Sequence, residues 1–561
     1  MTTPTPVVAI MASSLGRRVR SGSEQPDRPV EFRRGRALQP RLSTHQANRG
    51  NGVYSADVAR QFPGQYERKR VDTRPKLGDH GLVPPIFRIS GRALAQRLPD
   101  LRHRPGPVYT SLAEGITALV LDGRVAPETR LPSERELAKH LALSRATVTA
   151  AYDALRADGF VVSRTGAGTF VTVPVTARRI SPTRWAPAQT GPMDEIDMSC
   201  AALAAPPGLM PEAVAEAAIH LPDEAAGSGY NPLGLPQLRR AVAARFTARG
   251  VPTDPDQILV TNGALHGFDM LLRLLVGPGE RVLTELPTYP GALDALRANG
   301  TRIVPVGISA ERGWPVGELQ ATLRQTFPRL AYLVPDFQNP TGALIGERER
   351  RDVLRVARRT GTTVVIDETF VDLGLGGPLP PTAALDPSVV TLGSLSKPVW
   401  GGLRLGWIRA SADLVRRLAV QRAATDLAGS VLDQLVGVAI LDRLDDIAAD
   451  RRTQLRGQRD ALIAALRVEL PGWRVPVPEG GLSIWAELDA PLCTPLTLAA
   501  GQLGVQLVPG SRFGLDGTLE RFLRLPFALP AAELTDAVRR VALAWERLDR
   551  TGVGSRQLVV A

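Results

Sequence analysis

The chain has 561 residues, 44% of them hydrophobic, and 68 Lys and Arg against 56 Asp and Glu give a net charge of +12. That length argues against a single domain and predicts two or three, and the apolar fraction is ample for large packed cores. No apolar run reaches 18 residues, which excludes a membrane-spanning helix, and two cysteines, Cys200 and Cys493, exclude a disulfide framework and point to a reducing, cytoplasmic compartment.

Residues 1–85 come first. They carry 15 Lys and Arg and 7 Asp and Glu, so +8 of the +12 lies there. The segment is rich in Arg, Pro, Gly, Ser and Gln and reads as a disordered tail. Its charge suits nonspecific contacts to phosphates. The apolar patch Val7 to Ala12 has no basic residue before it, unlike a secretory signal. The alternative for the tail is an over-long start. No Met lies between Met11 and Met193, so a later start would use another codon, for instance at Val83.

Residues 86–173 form the next domain, with its compact part at 108–173. Leu112, Ile116, Leu119 and Val120 make a helical stripe within Ser111 to Leu121. In Leu131-Pro132-Ser133-Glu134-Arg135-Glu136-Leu137-Ala138, Ser133 and Glu136 have capping-box spacing and start a second helix. Ser144 caps a third, Arg145 to Leu155, which buries Val148, Ala151, Tyr152 and Leu155. Two short helices joined by a tight turn make a helix-turn-helix, whose second helix fits a DNA major groove. Two strands, Phe160 to Ser163 and Thr169 to Val171, flank Arg164-Thr165-Gly166-Ala167-Gly168. This is a wing whose glycines permit a tight turn beside a phosphate backbone.

Residues 174–195 hold Pro174, Pro182 and Pro187 and read as a linker. From 196 to 550 strand-like runs alternate with helical ones. The clearest strands are 257–261, 281–284, 330–334 and 363–367. Alternation of this kind predicts an α/β domain around a mostly parallel sheet. No repeat of fixed period occurs, and no metal site is read in the sequence.

Two groups of motifs carry a family resemblance. LPSERELA, SRATV, ADG and GAGTFV, in order between Leu131 and Val171, resemble the GntR winged helix. Asn339-Pro340-Thr341-Gly342, Asp367-Glu368, Gly393-Ser394-Leu395-Ser396-Lys397 and Gly401-Gly402-Leu403-Arg404 resemble the fold-type I aminotransferases, which hold pyridoxal phosphate (PLP) on a lysine. The combination is similar to the MocR group of GntR-type transcription regulators. The expected fold is therefore an α+β winged helix-turn-helix followed by an α/β fold-type I PLP domain.

The resemblance implies a role for each position. Lys397 supplies the amine that holds the cofactor. Asp367 sits beside the pyridine nitrogen and keeps the ring an electron sink. Asn339 serves the 3-oxygen, and Ser394 and Arg404 the phosphate. Gly263, Ala264 and Leu265 cradle the phosphate at a helix start. Tyr289 stacks on the ring, and Tyr230 reaches the phosphate of a partner subunit. Arg524 clamps an α-carboxylate, a bidentate task suited to guanidinium. In the reader, Arg135, Ser144, Arg145, Thr147, Thr149, Thr165 and Gly166 face DNA. His266, in the phosphate-loop helix, reads as a packing residue. One departure stands out: many relatives have a tyrosine three residues after the aspartate, and this chain has Phe370. That change weakens the case for efficient transamination more than for cofactor binding. The functional expectation is a homodimeric PLP-dependent regulator that binds double-stranded operator DNA and responds to an amino compound or PLP. The rival is a working aminotransferase with an accessory DNA module.

Overall fold

The computed structural model describes residues 87–98, 101, 107–173 and 195–548. The tail at 1–85, nearly all of the linker at 174–195 and the last residues of the second domain at 549–550 lie outside the described residues.

The reader opens with β1 (Phe87–Arg88) and α1 (Gly91–Arg97). It continues through α2 (Val108–Leu121), β2 (Thr129–Arg130), α3 (Glu134–Leu141), α4 (Arg145–Ala157), β3 (Val161–Arg164) and β4 (Gly168–Val171). The strands form one sheet in the order β1-β2-β4-β3, with β3 and β4 antiparallel across the wing. Leu112, Ile116, Val148, Tyr152 and Leu155 are buried together, as the helical stripes require. The Tyr152 hydroxyl donates to Pro132 O at 2.9 Å, so this core aromatic also anchors the loop before α3. Ser133 caps α3 by accepting from Glu136 N at 3.2 Å. The reciprocal half of the capping box does not form. Glu136 instead accepts from Gly91 N at 2.6 Å and ties α1, at its own N-terminus, to α3.

The second domain is built on a seven-stranded sheet. Its strands are β6 (Ile258–Thr261), β7 (Arg281–Leu286), β8 (Arg302–Gly307), β9 (Leu330–Leu333), β10 (Thr363–Asp367), β11 (Val390–Ser394) and β12 (Gly406–Arg409). The order is β6-β12-β11-β10-β9-β7-β8. Every pair is parallel except those made by β12, which runs antiparallel to β11 and β6. Helices cover both faces, so the inner strands are buried without alternation; β6 and β9 are buried at every residue, while burial alternates along the edge strand β8. Among the flanking helices are α5 (Leu209–Ala225), α6 (Pro236–Ala248) and α7 (Ala264–Leu275). Because the parallel strands share a direction, their C-terminal ends form one edge, where open α/β sheets place their ligands. Asp367 and Ser394 end β10 and β11, and Thr261 ends β6.

A smaller unit follows. In it β13 (Ser483–Glu487), β15 (Val508–Pro509) and β16 (Phe522–Pro526) make a sheet in the order β13-β16-β15, while β5 (Ile196–Asp197) pairs with β14 (Val505–Gln506). Two long helices, Leu444–Glu469 and Ala531–Glu546, pack on it. The turn just before β16 meets the reader. Leu519 N donates to Leu121 O at the end of α2 (2.5 Å), and Arg521 lies 3.7 Å from Asp122. Burial in this contact pushes the Asp122 carboxyl up to about 6, against the pull of Arg521. On the same side Arg97 donates to Arg124 O at 2.5 Å and pairs with Glu318.

Candidate functional site

At the sheet edge, Lys397 follows β11 after a turn. Ser394 shapes that turn: its hydroxyl donates to Leu405 O at 2.9 Å and accepts from Ser396 N at 3.0 Å. Lys397 Nζ donates to Ala201 O at 2.9 Å and lies 5.7 Å from the centre of the Phe370 ring. Burial lowers the amine's pKa, with Arg524 and Arg404 acting in the same sense against Cys200 and Asp367. A lysine held this way gives up its proton more readily, as a carbonyl-trapping amine must. Asp367 is 8% exposed. Its Oδ1 accepts from Thr369 N at 3.0 Å and its Oδ2 from the Tyr332 hydroxyl at 2.7 Å.

The loop from β6 to α7 forms a cradle. Gly263 has φ +87°, and a Cβ there would lie 3.0 Å from the Arg404 guanidinium. Glycine therefore serves both the backbone conformation and the approach of Arg404. Arg404 itself is held in a left-handed conformation, φ +50°, and donates to Asn262 O at 2.9 Å. Ala264 and Leu265 begin α7, so their N–H groups have no partner within the helix and face an incoming anion. His266 does more than pack. Its Nδ1 accepts from Asn262 N at 3.0 Å, and Asn262 in turn donates to Asp426 at 2.8 Å, which fixes the loop. Burial lowers the His266 pKa, consistent with a ring nitrogen that accepts.

Three further side chains complete the edge. Tyr289 follows β7, and its ring packs over Gly291, where a Cβ would come within 2.7 Å of it. Asn339 is buried, and its Oδ1 has no partner. Arg524, 6% exposed on β16, donates to Ser199 O, stacks 5.0 Å from the Phe513 ring and leaves its Nε unpaired. Its desolvation pulls the guanidinium down to about 10. Buried polar groups without partners are costly in a finished interior. The unpaired Arg524 Nε can donate to an anionic ligand, and the unpaired Asn339 Oδ1 can accept from a ligand donor. The carboxylate of Asp367, the amine of Lys397, the cradle at Gly263 and the free Arg524 Nε therefore fit PLP with a carboxylate-bearing ligand. Tyr230 stands apart: it is 67% exposed, and its N–H makes a local bond, to Ser228 Oγ.

In the reader, Arg135, Ser144 and Arg145 are exposed, and Thr165 and Gly166 sit at the tip of the wing. Ser144 Oγ caps α4 by accepting from Thr147 N at 3.0 Å, and it also bonds the Thr147 hydroxyl. Thr149 turns its hydroxyl to Glu134 at 2.9 Å, and Arg145 Nε lies 3.4 Å from the same carboxylate. Gly166 has φ +72° with open space around it.

Residues 108–171 match the family described as bacterial regulatory proteins, gntR family. Residues 202–541, more than half of the chain, match aminotransferase class I and II. The chain belongs to the class I and II aminotransferase family. With a gntR-family DNA-binding domain in front, it is a MocR-type member of the GntR regulators. Among the relatives of this MocR-type chain, the probable rhizopine catabolism regulatory protein MocR of Rhizobium meliloti is 34% identical over 330 residues, 54% of this chain and 65% of that protein. The HTH-type transcriptional regulator YdcR of Escherichia coli, itself uncharacterized, is 27% identical over 78% of this chain and 99% of its own length. Among solved structures, the alpha-aminoadipate aminotransferase LysN of Thermus thermophilus, complexed with N-(5'-phosphopyridoxyl)-L-leucine, superposes with a TM-score of 0.59 at 29% identity. That likeness covers 63% of this chain and 92% of LysN. Pyridoxal phosphate is the cofactor that the family and these neighbours imply. Among the described residues no cluster of His, Cys, Asp and Glu could hold a metal, and no helix is long and apolar enough to cross a membrane.

Proposed function

We propose that this MocR-type chain works in the cytoplasm as a homodimeric, PLP-dependent transcription regulator whose second domain senses a small amino compound carrying a carboxylate. When bound, PLP supplies an aldehyde carbon and an electron-withdrawing ring. Lys397 would hold the aldehyde, and burial, by lowering its pKa, keeps its amine ready to trap or release a carbonyl. Asp367 anchors the ring nitrogen. Asn339 would serve the ring's oxygen. Gly263, Ala264, Leu265, Ser394 and Arg404 bind the phosphate, and Tyr289 covers the ring. Arg524, buried and with a free Nε, orients the ligand carboxylate. Tyr230, exposed in a single chain, is free to reach the site of a second copy.

One observation carries the regulator reading. The carboxylate clamp Arg524 and the reader-contacting residues Leu519 and Arg521 belong to one short segment that ends in β16. Phe513 lies against Arg524 and shares an apolar cluster with Leu519. A ligand that pulls on Arg524 thus acts next to the end of α2, which packs on the recognition helix α4. Such a ligand shifts DNA binding only if it binds two arrangements of this contact unequally. The test is a mobility shift with DNA from upstream of the protein's own gene, against a panel of α-amino acids and other primary amines. At least one amine should change the affinity for that DNA. Rapid turnover of amines with a keto acid, and no change in DNA affinity with any of them, would favour the aminotransferase reading.

A further inference from the structure

We propose that Tyr332 is a positioning residue, which fixes Asp367 against the pyridine ring and sets how strongly its carboxylate draws on the ring's N–H. The inference rests on the cofactor site proposed above and concerns a residue outside its contact set.

Tyr332 and Val365 are paired across the parallel strands β9 and β10. Side chains alternate along a strand, so Asp367 projects from the same face as Val365. The phenol therefore crosses to the next strand and donates to Asp367 Oδ2 at 2.7 Å. Tyr332 is 1% exposed. Its ring packs on Phe268 of α7 with centroids 4.4 Å apart, so one side chain braces both the carboxylate and the helix that begins at the phosphate cradle. Burial, and then the nearby Asp367, raise the phenol's pKa well above normal, so Tyr332 keeps its proton and can only donate to the carboxylate. The other oxygen, Oδ1, is held by Thr369 N.

Two donors on two oxygens remove the carboxylate's freedom to twist. They leave acceptor capacity for the ring's N–H, since a carboxylate offers roughly four lone-pair sites. Phe370, where a tyrosine hydroxyl would serve the ring oxygen, cannot donate there. Control of the ring's charge therefore falls more heavily on Asp367 and on whatever holds it. Without the Tyr332 hydroxyl, the carboxylate's charge is shared with one donor fewer, and its hydrogen bond with the ring's N–H strengthens. The ring is then less electron-poor, and the nitrogen linking it to Lys397 more basic.

The experiment compares the full-length wild-type protein with Tyr332→Phe, Asp367→Asn and the double variant. PLP affinity is measured by fluorescence quenching, the visible band of the lysine-bound cofactor is titrated with pH, and circular dichroism checks the fold. Tyr332→Phe should weaken PLP binding about tenfold, the scale of one hydrogen bond to a charged group. It should also move the pH midpoint of the band upward. In the Asp367→Asn background the same change should cost less than about twofold, because coupled residues are not additive. Equal losses in both backgrounds, or an unmoved pH midpoint, would overturn the assignment while leaving the cofactor site intact. If Asp367→Asn takes up no PLP, the midpoint of Tyr332→Phe alone decides. A wild-type protein that binds no PLP would instead remove the cofactor site and this inference with it.

Discussion

Lys397→Ala should cut PLP retention by at least roughly 100-fold, about 2.8 kcal/mol at 1.4 kcal/mol per tenfold, and borohydride should no longer fix the cofactor to the chain. The effect is large because Lys397 is the side chain proposed to hold PLP covalently, while the phosphate cradle and Asp367 would hold it only through hydrogen bonds and charge. The variant should still fold. Lys397 makes a single hydrogen bond, to Ala201 O, and its removal leaves the strands β10 and β11 untouched. It should also still bind DNA, since the reader has its own core around Leu112, Val148 and Tyr152. What it should lose is the response to amines. Without the lysine, the incoming amine no longer competes with a protein amine for the cofactor, and its differential grip on two conformations falls. Reduction with borohydride followed by peptide mapping, and a mobility shift with and without amine, check both halves. A Lys397→Ala protein with a full amine response would exclude exchange at this lysine as the switch.

Arg145→Ala should weaken specific DNA binding by about 1–3 kcal/mol, the range of a bidentate base contact, and leave PLP uptake unchanged. Arg145 is the first residue of α4, beside the N-cap Ser144. Its side chain is 74% exposed, and its ion pair with Glu134, at 3.4 Å, is an exposed one that contributes little. The substitution therefore spares the reader's core and removes a guanidinium from the helix end proposed to enter the groove. Fluorescence anisotropy on operator and scrambled duplexes at several salt concentrations separates two outcomes. Loss confined to the operator marks a base contact. Equal loss on both duplexes, with the salt slope reduced by about one, marks a phosphate contact.

Much of this architecture is written locally in the chain. The strand at 363–367 forms with the bounds its apolar run suggests, because a buried parallel strand needs only continuous apolar residues and a polar end. The helix-turn-helix is equally visible: Ser133 and Ser144 cap helices where serine is expected to. The reader is nevertheless larger than its visible pattern. Strand β1 and helix α1 at 87–97 leave no clear periodic signal, since seven residues give too short a stripe to show a period. Glu136 illustrates a second limit. Its spacing from Ser133 signals a capping box, yet its carboxylate serves Gly91, 45 residues away. Tyr332 is a third case. It stands in an apolar strand and reads as a core aromatic. Its hydrogen bond to Asp367 spans 35 residues and depends on the register of β9 with β10, which no local pattern encodes. The sequence signal is weak: a tyrosine buried in a sheet usually finds a partner for its hydroxyl. His266 likewise reads as packing, and its role in holding the Asn262 turn emerges only once the turn is built.

In the mechanism proposed above, one ligand event is read in two places, the cofactor site and the DNA. The most direct measurement follows both in one cuvette. Wild-type protein, PLP and a labelled duplex from upstream of its own gene are titrated with an active amine, while the cofactor's visible absorbance and the duplex's anisotropy are recorded together. Both signals should move with the same midpoint, and Lys397→Ala should abolish both while retaining DNA affinity without amine. A cofactor band that titrates fully while the anisotropy stays flat, for every amine that enters the site, would contradict this coupling.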